Sequence, residues 1–128
     1  MIVPARAVRV WLHRRPVDMR KSFDTLAVIV RLEMRRDLLD GELFVFVGRR
    51  RRHAKCLWWD GTGFCVLAKR MSKGRFMAPW ERSGAGAISI TSSELALLLE
   101  GSELVGRVAL SPPIWTRSGS NVIDTQTR

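Results

Sequence analysis

Arg49, Arg50, Arg51 and Arg52 stand in an unbroken run, the sharpest chemical feature of this sequence. Guanidinium groups grip phosphate oxygens in a bidentate fork and also read guanine edges. Lys55, Lys69, Arg70, Lys73 and Arg75 follow closely. Residues 46–75 thus hold nine basic side chains against Asp60 alone, a local charge of +8. So dense a cluster repels itself, and a bound polyanion relieves that repulsion while releasing its condensed counterions. The competing reading is a solvated charge run that guards a strand edge.

The remaining chemical groups do not assemble into a catalytic set. A metal-dependent nuclease or strand-transfer centre needs two or three converging carboxylates. Asp18 reads as a helix cap, and Asp40 and Asp60 read as turn residues. Asp24 lies beside an apolar helical stripe, within reach of basic side chains. His13 and His53 are the only histidines, and the spacing His53-x2-Cys56-x8-Cys65 follows no usual zinc pattern. Cys56 and Cys65 read as small apolar groups, since a reducing cytoplasm disfavours a cross-strand disulfide. Gly61-x-Gly63 lacks the rest of a phosphate-binding loop. No catalytic residue, metal or cofactor is therefore assigned. Trp11, Trp58, Trp59, Trp80 and Trp115 can stack on bases, but core packing is the favoured role for most of them. Trp58 and Trp59 are adjacent on a strand and so face opposite ways.

The elements that must position these groups follow from local patterns. Residues 8–12, VRVWL, read as a short strand, broken by Arg14, Arg15 and Pro16. A helix capped by Asp18 begins near Met19 and runs to about Arg36. Phe23, Leu26, Ala27, Val30 and Met34 mark its apolar face, while Val28, Ile29 and Leu32 lie off that stripe. Residues 42–47, 54–59 and 63–70 read as strands, with the arginine run in the first connection and Asp60-Gly61 in the second. If that second loop has two residues, Cys56 faces Cys65; a four-residue loop through Gly63 shifts the register by two. Gly74 to Trp80 form a short edge segment and its exit, and residues 87–90 a last strand. Thr91-Ser92-Ser93-Glu94 fits a capping box for a helix with Leu95, Leu98 and Leu99 on its apolar face, stopped by Gly101. The pattern is α+β: a small antiparallel sheet of four or five strands with two main helices packed on it. One helix or both cover one face. The arginines then belong to the other face or to the hairpin end.

Length and charge bound the function. A chain of 128 residues with 46% hydrophobic content folds without metals or disulfides. Residues 1–101 are expected to form a single domain and 102–128 an irregular or disordered tail. The net charge is +10, and residues 1–75 carry 18 basic against 7 acidic side chains, or +11. No secretory signal and no apolar run long enough to span a membrane is visible, so the expected compartment is the cytoplasm.

One family shares these motifs. VRVWL at 8–12, DMRKSFDTLA at 18–27, GELFVFVGRRR at 41–51, KCLWWDGTGF at 55–64, LAKRMSKGRF at 67–76 and LALLLEG at 95–101 occur in order. On these stretches the chain resembles the TnpB accessory proteins of the sixty-six-type insertion sequences, products of the second of three transposition reading frames. The family pattern carries an acidic residue near Arg52, so the run is more basic here. The family's Trp- and Arg-containing ending is not recognisable after Gly101. The resemblance implies a role in mobilising the element beside a separate transposase that performs the strand chemistry. DNA of the element's ends and that transposase are the implied partners. Three hypotheses follow in order: a non-catalytic DNA-binding accessory protein, a protein–protein adaptor that recruits the transposase, and a nuclease acting through Asp18, Asp24 or Asp60.

Overall fold

Leu43–Val47 (LFVFV) is buried at every position and forms the middle strand of the molecule. An unbroken run of β-branched and aromatic residues suits a strand covered on both faces. In the computed structural model, which describes residues 8–101, this strand is β2 of a five-stranded sheet. β1 (Val10–Leu12), β3 (His53–Trp59), β4 (Phe64–Arg70) and β5 (Ile88–Ile90) complete it in the order β4-β3-β2-β1-β5. The helices are α1 (Phe23–Ile29), which continues into a π-helical turn at Val30–Met34, and α2 (Ser92–Leu99). The class is α+β and the sheet mostly antiparallel, as the pattern predicts. One pair departs: β1 and β2 run parallel, with Val10 opposite Leu43 and Leu12 opposite Val45. A parallel pair needs a long crossover, which the segment carrying α1 supplies.

The helices lie on opposite faces of the sheet, not on one. Val10, Leu12, Val45, Val47, Cys56 and Ile90 share one buried cluster with Leu98 of α2. Phe44, Phe46 and Leu57 share the other with Leu26, Ile29, Val30 and Met34. Strand side chains alternate in direction, and β2 is apolar on both sides, so each face demands its own cover. The expectation of a bare sheet face is therefore corrected, and the arginines are left with the hairpin end.

The start of α1 also differs from the expectation. Its N-cap is Ser22, whose amide donates to Thr25 Oγ1 at 2.9 Å. Asp18 caps no helix; it accepts the Arg20 amide at 2.9 Å and the Arg20 guanidinium at 2.7 Å. The guanidinium beside it holds this carboxyl well below the usual carboxylate range. Because the helix begins at Phe23, that ring is its first residue and is 45% exposed, while Ile29 joins the core. Arg35 ends the π-helical turn in the left-handed region at φ 56°. Leu38–Asp40 forms a 3-10 turn, and Gly41 (φ 77°) leads into β2.

The β3–β4 loop has four residues. Trp59 faces Phe64, Trp58 faces Cys65 and Cys56 faces Leu67, so the two-residue register, with Cys56 against Cys65, does not occur. The cause is local. Asp60 Oδ1 accepts the amides of Thr62 and Gly63 at 2.9 and 3.0 Å, an Asx turn that closes a wider loop. These amides hold the Asp60 carboxyl down to about 2. The predicted capping box of α2 is present, with Thr91 Oγ1 accepting the Glu94 amide at 3.0 Å and Glu94 Oε1 accepting the Thr91 amide at 2.8 Å. The expected tail at 102–128 lies outside the described residues, as does Trp115.

Candidate nucleic-acid interface

The topology brings distant basic segments to one end of the sheet. β2 and β4 both run toward this end and β3 starts from it, with His53 opposite Arg70. The turn at 48–52 and the segment at 71–76 therefore lie side by side. Three hydrogen bonds to backbone carbonyls stitch them: Met71 N–H to Arg52 O at 2.8 Å, Phe76 N–H to Arg51 O at 2.7 Å, and the side-chain Arg51 Nε–H to Phe76 O at 2.6 Å. Phe76 is wholly buried and anchors the second segment to the α2 side. The turn itself is closed by Arg51 N–H to Gly48 O at 2.9 Å and Gly48 N–H to His53 O at 3.0 Å. Arg51 holds φ 62°, the left-handed region that a non-glycine residue rarely adopts. A Cβ at Gly48 would come within 2.8 Å of Met19 Cγ, so only glycine fits there without displacement.

The nine sequence-predicted cations divide into two groups. Arg49, Arg50, Arg52, Arg70, Lys73 and Arg75 are exposed. Among the described residues their side chains make no hydrogen bond and no ion pair. The other three are used by the fold. Arg51 is half-buried and binds the Phe76 carbonyl. Lys55 donates to Lys21 O at 2.7 Å on the α1 face, and Lys69 donates to Leu99 O at 2.5 Å, closing the end of α2 on the opposite face. Six cations are thus brought together free, and three are committed to backbone carbonyls.

Two further cations belong to this end. Leaving β1, the chain runs beside β2, with His13 N–H to Val45 O at 2.9 Å and Val17 N–H to Val47 O at 3.0 Å, which places exposed Arg15 near the cluster. Arg14 instead clamps the loop before β5, donating to Arg82 O at 2.7 Å, Ser83 O at 3.1 Å and Gly86 O at 2.8 Å. The Arg14-Arg15 pair is visible in the sequence, but only the parallel β1–β2 pairing places it here. His13 is buried and bridges Arg15 O at 3.0 Å and Glu33 Oε1 at 2.9 Å.

One carboxylate, Asp18, lies near this end beside Val17 and is paired with Arg20; four others stand away from it. Asp37, Asp40, Glu42 and Asp60 stand before β2 or in the β3–β4 loop, at the opposite end of the sheet. Glu42 is buried and paired with Arg36 at 2.8 Å, whose guanidinium lies 4.2 Å over the Trp11 ring. Asp24 is exposed and makes no ion pair among the described residues, and no group of three or more His, Cys, Asp or Glu among them can hold a metal ion. Trp58 is buried, Trp59 packs edge-on against Phe64 at 5.0 Å, and Trp11 and Trp80 are half-buried against the two cores. No helix among the described residues is long and apolar enough to cross a membrane.

Fold and site together define a small basic α+β protein that gathers free cations at one end of its sheet. Residues 8–108 match the family described as IS66 Orf2-like protein, and the chain belongs to that family. It is a family of accessory proteins associated with insertion-sequence transposition, not a known enzyme class. Two similar proteins come from Sinorhizobium fredii (strain NBRC 101917 / NGR234), and both are described only as uncharacterized. Protein y4hO is 41% identical over 101 residues, 79% of this chain and 86% of its own length. Protein y4jC is 32% identical over 101 residues, 79% of this chain and 85% of its own length. No solved structure matches the chain.

Proposed function

We propose that this protein is a non-catalytic, cytoplasmic DNA-binding accessory factor that acts on the ends of its insertion sequence beside the element's transposase. The observation that supports it is the set of six unpartnered cations, five on the stitched 48–52 and 71–76 segments and Arg70 at the end of β4. A protein that held these groups only for its own stability would use them internally, as it uses Arg51, Lys55 and Lys69. The direct test is a gel-shift titration against the terminal repeats and unrelated duplex at several salt concentrations. Six phosphate contacts at about 0.9 counterions each set a slope of log K against log salt near −5. Replacing all six cations with alanine removes most of the affinity. Unchanged binding in that variant defeats the proposal. Recovery of the transposase by the DNA-free protein, with no DNA affinity in either form, would instead establish the adaptor role.

A further inference from the structure

At the other end of the sheet, α1 and the turns after it leave a groove of about 910 Å³ against the start of β4. Its floor is apolar, formed by Val28, Leu38, Leu39 and Phe64. Scattered apolar side chains on a surface are ordinary. These are not scattered. Among the described residues five large hydrophobics are exposed, and four of them lie on α1 or the turns that follow it: Phe23, Val28, Leu32 and Leu39, with Leu32 at 67% and Leu39 at 60% exposure. Val28 and Leu32 are four residues apart, hence neighbours on one helical face, and Val28 and Leu39 both line the groove. A clustered apolar surface of this kind marks a contact site.

The charges beside the groove say what enters it. Arg31 and Arg35 line it, are exposed, and make no side-chain hydrogen bond or ion pair among the described residues. Arg35 holds a left-handed backbone (φ 56°), and the next amide, Arg36 N–H, bonds Val30 O at 3.1 Å. Two acids, Asp24 and Asp37, line the groove as well, and each has a local interaction of its own. Asp37 accepts the Leu39 amide at 2.9 Å, and Asp24 sits in the first turn of α1, where the helix end favours a negative charge. The chain as a whole carries +10. A second copy would bring the same mixture of Arg31 and Arg35 with Asp24 and Asp37, and so gains no charge advantage over an acidic partner. Nucleic acid offers no apolar side chains for the floor.

We infer that this groove docks an amphipathic helix of a partner protein, one whose apolar stripe is flanked by Asp or Glu. Anchors in the floor supply affinity, and the flanking carboxylates meet Arg31 and Arg35. This site is separate from the six-cation end and does not depend on the DNA reading.

The test titrates the isotope-labelled full chain with helix-favouring model peptides of one apolar stripe, flanked by Glu, Gln or Lys, and follows the amide resonances. The Glu peptide shifts amides of residues 24–39 and 64 and binds about fivefold tighter than the Lys peptide, as two exposed ion pairs allow. Arg31→Glu with Arg35→Glu inverts that preference. Leu39→Glu, at an exposed position that the fold tolerates, abolishes binding of all three. DNA affinity is unchanged in every groove variant. Failure of the Glu peptide to bind, equal binding of the Glu and Lys peptides, or shifts confined to residues 48–52 and 70–76 overturns the inference. So do concentration-dependent shifts of the groove amides in the free protein, which would assign the face to self-association.

Discussion

Arg51 separates the structural cations from the exposed ones, and its replacement tests that division. In Arg51→Ala the Nε–H bond to Phe76 O is lost, and with it one stitch between the two basic segments. A hydrogen bond from a charged donor contributes about 1.5–3 kcal/mol, and the half-buried position argues for the lower end, about 1.5 kcal/mol. For a domain of this size, each kcal/mol shifts Tm by roughly 5 °C, so the variant should melt about 8 °C lower. Alanine keeps the strained left-handed backbone. Glycine does not, and it recovers about 1 kcal/mol of that strain. Arg51→Gly should therefore melt only about 3 °C below the parent. Calorimetry measures both. Salt titration of DNA binding gives the companion result: the slope is nearly unchanged in Arg51→Ala, whereas Arg49→Ala, Arg50→Ala and Arg52→Ala together flatten it by about 2.7. The reasoning is refuted if Arg51→Ala melts with the parent while losing as much slope as its neighbours.

Three other expectations follow from the fold. Arg36→Ala strands the buried Glu42 carboxylate and uncovers Trp11, and should cost about 3 kcal/mol in urea unfolding; a loss below about 1 kcal/mol would show that the pair contributes little. The Asp60 carboxyl is lowered from 3.8 to about 2 by the Thr62 and Gly63 amides, so its contribution is complete above about pH 4 and disappears as pH falls toward 2. Asp60→Asn should flatten the acid limb of the stability curve in that window, and an unaltered limb would discount the Asx turn. Burial pushes the Cys56 thiol up to about 12, so native protein should resist iodoacetamide at Cys56 and react there only in denaturant; rapid native labelling, read by mass spectrometry, contradicts the buried position.

Features set by neighbours in the chain were legible in the sequence. Thr91 and Glu94 cap α2 as their spacing predicts, because a capping box closes within one turn. LFVFV reads as a buried strand for the same reason of composition. Pairings between distant segments were not legible. Nothing local to VRVWL states that β1 lies parallel to β2, and nothing in the cysteine spacing reveals that an Asx turn displaces Cys65 from Cys56. Asp18 and Ser22 are both good caps, and only the docked helix selects Ser22. The cationic segment was evident from its residue types. Its division into six free and three committed groups depends on carbonyls of Phe76, Lys21 and Leu99, which are remote in sequence.

The parallel β1–β2 pairing also orders assembly. β2, β3 and β4 pair through short connections and can form soon after they are made, but β1 must wait for a long loop to close. Its other neighbour, β5, is the last strand synthesised among the described residues. β1, the earliest strand among the described residues, is thus among the last to find both its partners. A chain cut short before Ile88 would retain the arginine turn yet leave β1 as an open edge, ready to pair with a like copy and aggregate.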